Sequence, residues 1–76
     1  MAQLTEIAIR VKHGETVYVI DDYDERAICF APELGQNVLS KRKGVYASYK
    51  RPLTDALIIE SVFNGKEVTK EDYDKY

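Results

Sequence analysis

Apolar residues recur at every second position along several short stretches of this chain, and each stretch is cut off by a glycine, a proline or a run of aspartates. A period of two puts alternate side chains on opposite faces of a strand, so this pattern limits the fold to short strands joined by tight turns. Thr5, Ile7, Ile9 and Val11 alternate with Glu6, Ala8 and Arg10 and predict a first strand. Gly14, next to His13, can take the positive φ of a tight reversal, so Thr16 to Ile20 is expected to return as the second strand of a hairpin. In that second strand Val17 and Val19 oppose Tyr18 and Ile20. Both sets are apolar, which predicts a strand covered on both faces.

Asp21, Asp22, Tyr23, Asp24 and Glu25 have turn chemistry, because aspartates bond their own backbone and tolerate left-handed geometry. A third strand is expected at Arg26 to Phe30. Pro32 ends it, and Gly35 and Asn37 make the stretch from Pro32 to Ser40 a loop or one helical turn. Gly44 to Lys50 alternates again, with Val45, Ala47 and Tyr49 on one face and Tyr46, Ser48 and Lys50 on a wet one, and predicts strand four. Pro52 stops that strand. Leu57 to Phe63 is the strongest β segment, Asn64-Gly65 is a hairpin signal, and Lys66 to Val68 is the expected return. Thr69 resembles an N-cap with Glu71 and Asp72 in the first turn behind it, so a brief helix to Tyr76 is expected. No internal repeat or low-complexity segment occurs.

The inventory predicts a mainly β protein: one small antiparallel sheet, or a barrel of the SH3 or OB kind, with five to six short strands and one or two short helical turns. A β-rich α+β arrangement competes if the Pro32 to Ser40 stretch is helical. At 76 residues there is room for one core, so residues 1–76 are expected to form a single domain. A chain of this size buries only roughly 60% of its unfolded surface, which leaves little to enclose a substrate. Hydrophobic residues at 45% and charged residues at 32% are globular rather than disordered composition.

Cys29 is the only cysteine, so neither an internal disulfide nor a cysteine-based zinc site can form within one chain, and a reducing, cytoplasmic setting is expected. Met1 to Arg10 lacks the continuous apolar stretch of a signal peptide, and no apolar run approaches the roughly 20 residues that span a bilayer. Membrane partners are not expected.

No catalytic kit emerges. His13 is the single histidine, and its place in a predicted turn gives it no nucleophile or orienting group. Cys29, between Ile28 and Phe30, reads as a small apolar core residue rather than a reactive thiol. Asp22-x-Asp24 resembles the start of a calcium loop, but of the sixth and twelfth positions counted from Asp22, Ala27 and Glu33, only the second carries the required residue; the sixth-position glycine that makes the sharp turn is missing. No metal, no cofactor and no enzymatic activity are expected.

What remains is charge. The net charge of −2 hides a segregation: Asp21, Asp22, Asp24 and Glu25 form an acidic turn, while no acid occurs between Leu34 and Thr54, where Lys41, Arg42, Lys43, Lys50 and Arg51 supply five of the eleven cations. Tyr23 accompanies the acids, and Tyr46 and Tyr49 the cations. Tyrosine adds contact area with few rotors, and such patches steer association and fix orientation. The expectation is a small non-enzymatic binding protein that inhibits or modulates a larger protein or nucleoprotein, with Asp21, Asp22, Tyr23, Asp24 and Glu25 as a protein-binding turn. Lys41, Arg42, Lys43, Tyr46, Lys50 and Arg51 would meet nucleic acid or an acidic partner. A small nucleic-acid-binding barrel is the alternative, opposed by a pI near 5.3, and a self-associating structural subunit is a third. In general type, though through no motif, such a protein is similar to phage or mobile-element accessory proteins, anti-CRISPR-like inhibitors of host defence included.

Overall fold

The computed structural model describes residues 3–76; the first two residues of the Met1 to Arg10 stretch lie outside the described residues. In chain order the elements are α1 (Leu4–Lys12), β1 (Val17–Asp21), β2 (Arg26–Phe30), a 3-10 turn (Pro32–Leu34), β3 (Asn37–Arg42), β4 (Tyr49–Pro52), α2 (Ala56–Asn64), β5 (Lys66–Val68) and α3 (Lys70–Lys75). The five strands form one antiparallel sheet in the order β4-β3-β2-β1-β5. β1 to β4 are a meander, and the chain then crosses the sheet through α2 to place β5 against the free side of β1. β4 and β5 stay apart as edges, so the sheet is open and the SH3 or OB barrel expected as one alternative does not form. The α+β arrangement does.

Both faces of the sheet are covered. Val17, Val19, Ile28, Phe30 and Val38 pack with Ile7 of α1 and with Ile58 and Val62 of α2. On the opposite face Ile20, Ala27 and Cys29 pack with Tyr73 of α3, flanked by Tyr18, Leu39, Val68 and Tyr76. This division follows the pleat: the two alternating sets of β1 go to different cores, as the doubly apolar sequence of that strand requires. The Arg26 to Phe30 strand stands as expected, and so do the short Lys66–Val68 strand and the terminal helix. Thr69 caps that helix by accepting a hydrogen bond from the Asp72 N–H at 3.2 Å.

Four expectations are corrected. Thr5 to Val11 is not a strand but most of α1, because Leu4, Ile7 and Val11 lie at the helical spacing i, i+3, i+7 and all face the core, while Ile9 is left 55% exposed. Glu6 in its first turn and Arg10 and Lys12 in its last suit the helix dipole. His13-Gly14 therefore ends a helix rather than turning a hairpin. Leu57 to Phe63 is not a strand but the body of α2, which buries Ile58, Ser61 and Val62 and is capped by the Asp55 carboxylate accepting from the Leu57 N–H at 2.9 Å. Asn64-Gly65 consequently closes that helix. Gly44 to Lys50 is mostly an irregular connection, and strand pairing begins only at Tyr49. Between Pro32 and Ser40 the helical turn is confined to Pro32–Leu34, and Asn37 to Ser40 belong to β3, a strand the sequence reading did not include.

Candidate functional site

The acidic turn joins β1 to β2, and its five residues have different jobs. Asp21 is 1% exposed; its Oδ1 accepts from the Tyr23 N–H at 3.0 Å and the Asp24 N–H at 3.4 Å, so it builds the turn rather than presenting charge. Its Oδ2 is buried with no hydrogen-bond partner among the described residues. Asp22 accepts from the Tyr76 hydroxyl at 3.2 Å, which fastens the chain's last residue to the turn. Burial, then this bond and the surrounding acids, push the Tyr76 phenol up to about 12. Asp24 lies 3.8 Å from Arg26. Glu25 takes a left-handed φ of 54°, and Tyr23 stands 85% exposed.

The basic segment does not form one surface. Strand pleating and the loop after β3 divide it between the two faces of the sheet. Lys41 is 8% exposed with its Nζ 4.4 Å from the centre of the Tyr73 ring, and Lys43 sits 5.7 Å from the Tyr76 ring, so both cations are drawn to the α3 side. Lys50 pairs with Leu39 and shares that face. Arg42 and Arg51 belong to the other face, with Ser40, Tyr49 and Val38. The expected shared face of Tyr46, Ser48 and Lys50 does not exist, because residues 45–48 are not a strand; Tyr46 projects wholly into solvent.

The two charge clusters meet at one end of the sheet. Arg26 and Arg42 are cross-strand partners, and the Lys43 N–H donates to the Glu25 carbonyl at 2.9 Å. On the α2 side of this end lies a cleft of about 210 Å³ whose walls include Arg26, Ser40, Arg42, Tyr49, Arg51, Asp55 and Leu57. Arg26 is 9% exposed; its Nη1 donates to the Ser61 Oγ at 2.9 Å and, more weakly, to the Leu57 carbonyl at 3.4 Å. Arg51 is 3.7 Å from Asp55, whose carboxylate already serves the α2 N-terminus. Arg42 has no ion pair or side-chain hydrogen bond among the described residues. The cleft is thus a convergence of guanidiniums with an apolar rim of Val45, Tyr49 and Leu57, each 45% exposed or more. Arg26, Asp55 and Leu57 escape sequence reasoning because their neighbours in space depend on α2, and α2 reads locally as a strand.

A larger hollow of about 600 Å³ runs between α1 and the ends of β2 and β3, but its one charged lining residue is Lys12. It lacks the convergent polar groups that fix a ligand. His13 lies exposed at the end of α1, and Cys29 is buried beneath α3, with its thiol pushed up by burial and then by Glu33 and Asp74. Among the described residues no group of three or more His, Cys, Asp or Glu is placed to hold a metal ion, and no helix is long and apolar enough to cross a membrane. No family model matches the chain, and comparison with curated proteins and with solved structures gives no significant match.

Proposed function

We propose that this chain is a non-enzymatic binding module that docks on an acidic surface of a larger protein or nucleoprotein through the arginine cleft and its rim. One observation carries the proposal. Of the eight large apolar side chains that stand exposed among the described residues, Val45, Tyr49 and Leu57 line this cleft and Tyr46 adjoins Val45 in the chain, so the exposed apolar area coincides with Arg42, which has no ion pair among those residues. Tyrosine and arginine over a partly desolvated pocket are the composition of binding hot spots, and the positive charge selects an acidic partner and speeds encounter. Tyr23 and Glu25 lie at the same end of the sheet and add a negative margin that fixes orientation. Inhibition or modulation of the partner would follow where this face covers its working surface, and a reducing cytoplasmic setting fits a chain with one cysteine.

The two alternatives have less behind them. A strand of nucleic acid needs a continuous row of cations, whereas Lys41, Lys43 and Lys50 face away from Arg42 and Arg51. Self-association through sheet edges is opposed by their build: β4 is four residues with Lys50, Arg51 and Pro52, and β5 is three with Lys66 and Glu67.

Asp21 and Lys41 are unsuitable for charge reversal, since both are buried. The test is affinity capture with the unaltered chain, with Arg42→Glu/Arg51→Glu, with Tyr46→Ala, and with Lys66→Glu on the far edge strand as control. The expected result is a partner retained by Lys66→Glu and lost by the double arginine variant. Equal capture of the same partner by the double variant refutes the proposal.

A further inference from the structure

The arginine cleft has features that an acidic protein surface alone does not call for, and they concern the number of charges it holds and how they are fixed. Three guanidiniums, those of Arg26, Arg42 and Arg51, line it; Asp24 stands 3.8 Å from Arg26 and Asp55 3.7 Å from Arg51, which leaves Arg42 as the guanidinium of the cleft with no carboxylate partner among the described residues. Lys41 also borders the cleft, but its ammonium is held over the Tyr73 ring on the other face of the sheet. The Asp55 carboxylate is occupied by the Leu57 N–H at 2.9 Å and by Arg51 at 3.7 Å.

The cleft is also organised in advance. Arg26 is fixed through Nη1 by the buried Ser61 Oγ, the Leu57 carbonyl and the Asp24 carboxylate at 3.8 Å, while its Nε and Nη2 carry no hydrogen bond among the described residues. The N–H donors of a guanidinium so held suit an oxyanion, and much of its rotamer entropy is already spent in the fold. Ser40, 8% exposed, adds a hydroxyl from β3, and Arg42 brings a guanidinium with no other partner among the described residues. A volume of about 210 Å³ is several times the roughly 30 Å³ that one water occupies in the liquid, so a tetrahedral oxyanion fits together with the first atoms that carry it. Val45, Tyr49 and Leu57 at the rim would cover those carbon atoms.

We infer that this cleft binds a phosphate monoester, in the form of a phosphorylated side chain on the partner; the inference rests on the docking face proposed above and names what that face recognises. A phosphate monoester carries about −1.5 to −2 charges at neutral pH and three acceptor oxygens, and three donor groups, Arg26, Ser40 and Arg42, line the cleft to meet them. A carboxylate side chain has two acceptor oxygens and leaves one of those three donor groups unanswered. A nucleic-acid backbone supplies diesters of one charge each, and beyond the cleft it meets the acidic turn instead of further cations.

The experiment is an NMR titration of the isotopically labelled chain with four probes: O-phosphoserine, O-phosphotyrosine, glutamate, and a twelve-nucleotide oligothymidylate. Saturable shifts are expected at the amides of Arg26, Ser40, Arg42, Tyr49 and Arg51 with at least one phosphoamino acid, and the two phosphoamino acids distinguish an aliphatic from an aromatic carrier. Glutamate is expected to bind at least tenfold more weakly, and Arg42→Ala to weaken the phosphoamino acid at least tenfold. Arg42 is exposed, so that variant should keep the dispersed spectrum of the folded chain. Absence of saturable shifts with both phosphoamino acids overturns the inference, and so does glutamate binding equally well or the oligonucleotide binding more tightly through the same residues. If neither phosphoamino acid binds while Arg42→Glu/Arg51→Glu still loses the captured partner, the docking face stands and the phosphoryl assignment falls.

Discussion

Gly65 is the position where one added methyl group should do most damage, and the reason is distance rather than backbone angle. Its φ of −87° and ψ of −177° are open to any residue. A Cβ there would stand 2.7 Å from the Ser61 carbonyl oxygen, 2.7 Å from Val19 Cγ1 and 2.9 Å from the Ile20 carbonyl oxygen. Two of those atoms are backbone, one in α2 and one in β1, and the Ser61 oxygen also accepts the Gly65 N–H at 2.8 Å. Relief requires α2 to lift from the strand it packs on. Overpacking costs typically about 1–3 kcal/mol, and with two immovable neighbours Gly65→Ala belongs at about 3 kcal/mol. In a domain of this size each 1 kcal/mol moves the melting temperature by about 4–8 °C, so a fall of about 12–24 °C is expected in a circular dichroism melt. Gly35→Ala is the comparison: its φ of +61° and ψ of −122° strain any L residue while nothing lies within 4 Å of the added Cβ, so a purely backbone penalty of about 1–3 kcal/mol applies. Gly65→Asn separates the causes, because asparagine relieves a left-handed φ but not a collision. A Gly65→Ala melt within about 4 °C of the unaltered chain, or recovery of stability by asparagine, would refute this reasoning.

Two further outcomes can be measured on the same material. Ser61 is wholly buried and accepts from Arg26 Nη1 at 2.9 Å; Ser61→Ala should cost about 1–3 kcal/mol in urea unfolding by stripping a buried guanidinium of a partner, and adding Arg26→Met should return part of that loss. Burial raises the Tyr73 phenol from 10 to about 12, so the fold favours its neutral form. The stabilisation is then complete below pH 10 and is lost as the pH rises from 10 through 12. The urea midpoint of the unaltered chain should therefore fall across that window, and that of Tyr73→Phe should fall less.

The parts of the fold legible from sequence were those with one dominant local cause. Asp21 opens a turn because its carboxylate bonds two following N–H groups, and Thr69 opens a helix for a similar reason. The two helices mistaken for strands are rich in β-branched residues, which favour strands locally, and in α1 the run Ile7, Ile9, Val11 satisfies a period of two as well as Leu4, Ile7, Val11 satisfies a helix. Burial decided between them. Two signals in α2 pointed to the helix, the capping Asp55 and a buried polar residue, Ser61, three positions from Ile58, but the second acquires meaning only with Arg26 beside it. β3 was missed because Asn37, Ser40, Lys41 and Arg42 have little strand preference of their own. Its place comes from pairing on both sides and, at Lys41, from the Tyr73 ring. The candidate site was legible as a composition, cations with tyrosines, and not as a surface. Arg42, Tyr49 and Arg51 were separated from Lys41, Lys43 and Lys50 by a pleat whose register no local pattern specified.

The lone cysteine doubles as a clock for one part of the molecule. Cys29 lies on the sheet face that Tyr73 of α3 covers, 8% exposed and with its thiol held in the protonated, unreactive form. α3 is six residues long, too short to persist undocked, and it is tethered through β5 to a strand 48 positions earlier, where Val19 faces Glu67. A thiol reagent added under native conditions therefore times the lifting of α3, and the rate at which the sulfur is modified gives the opening free energy of the C-terminal latch separately from the meander beneath it.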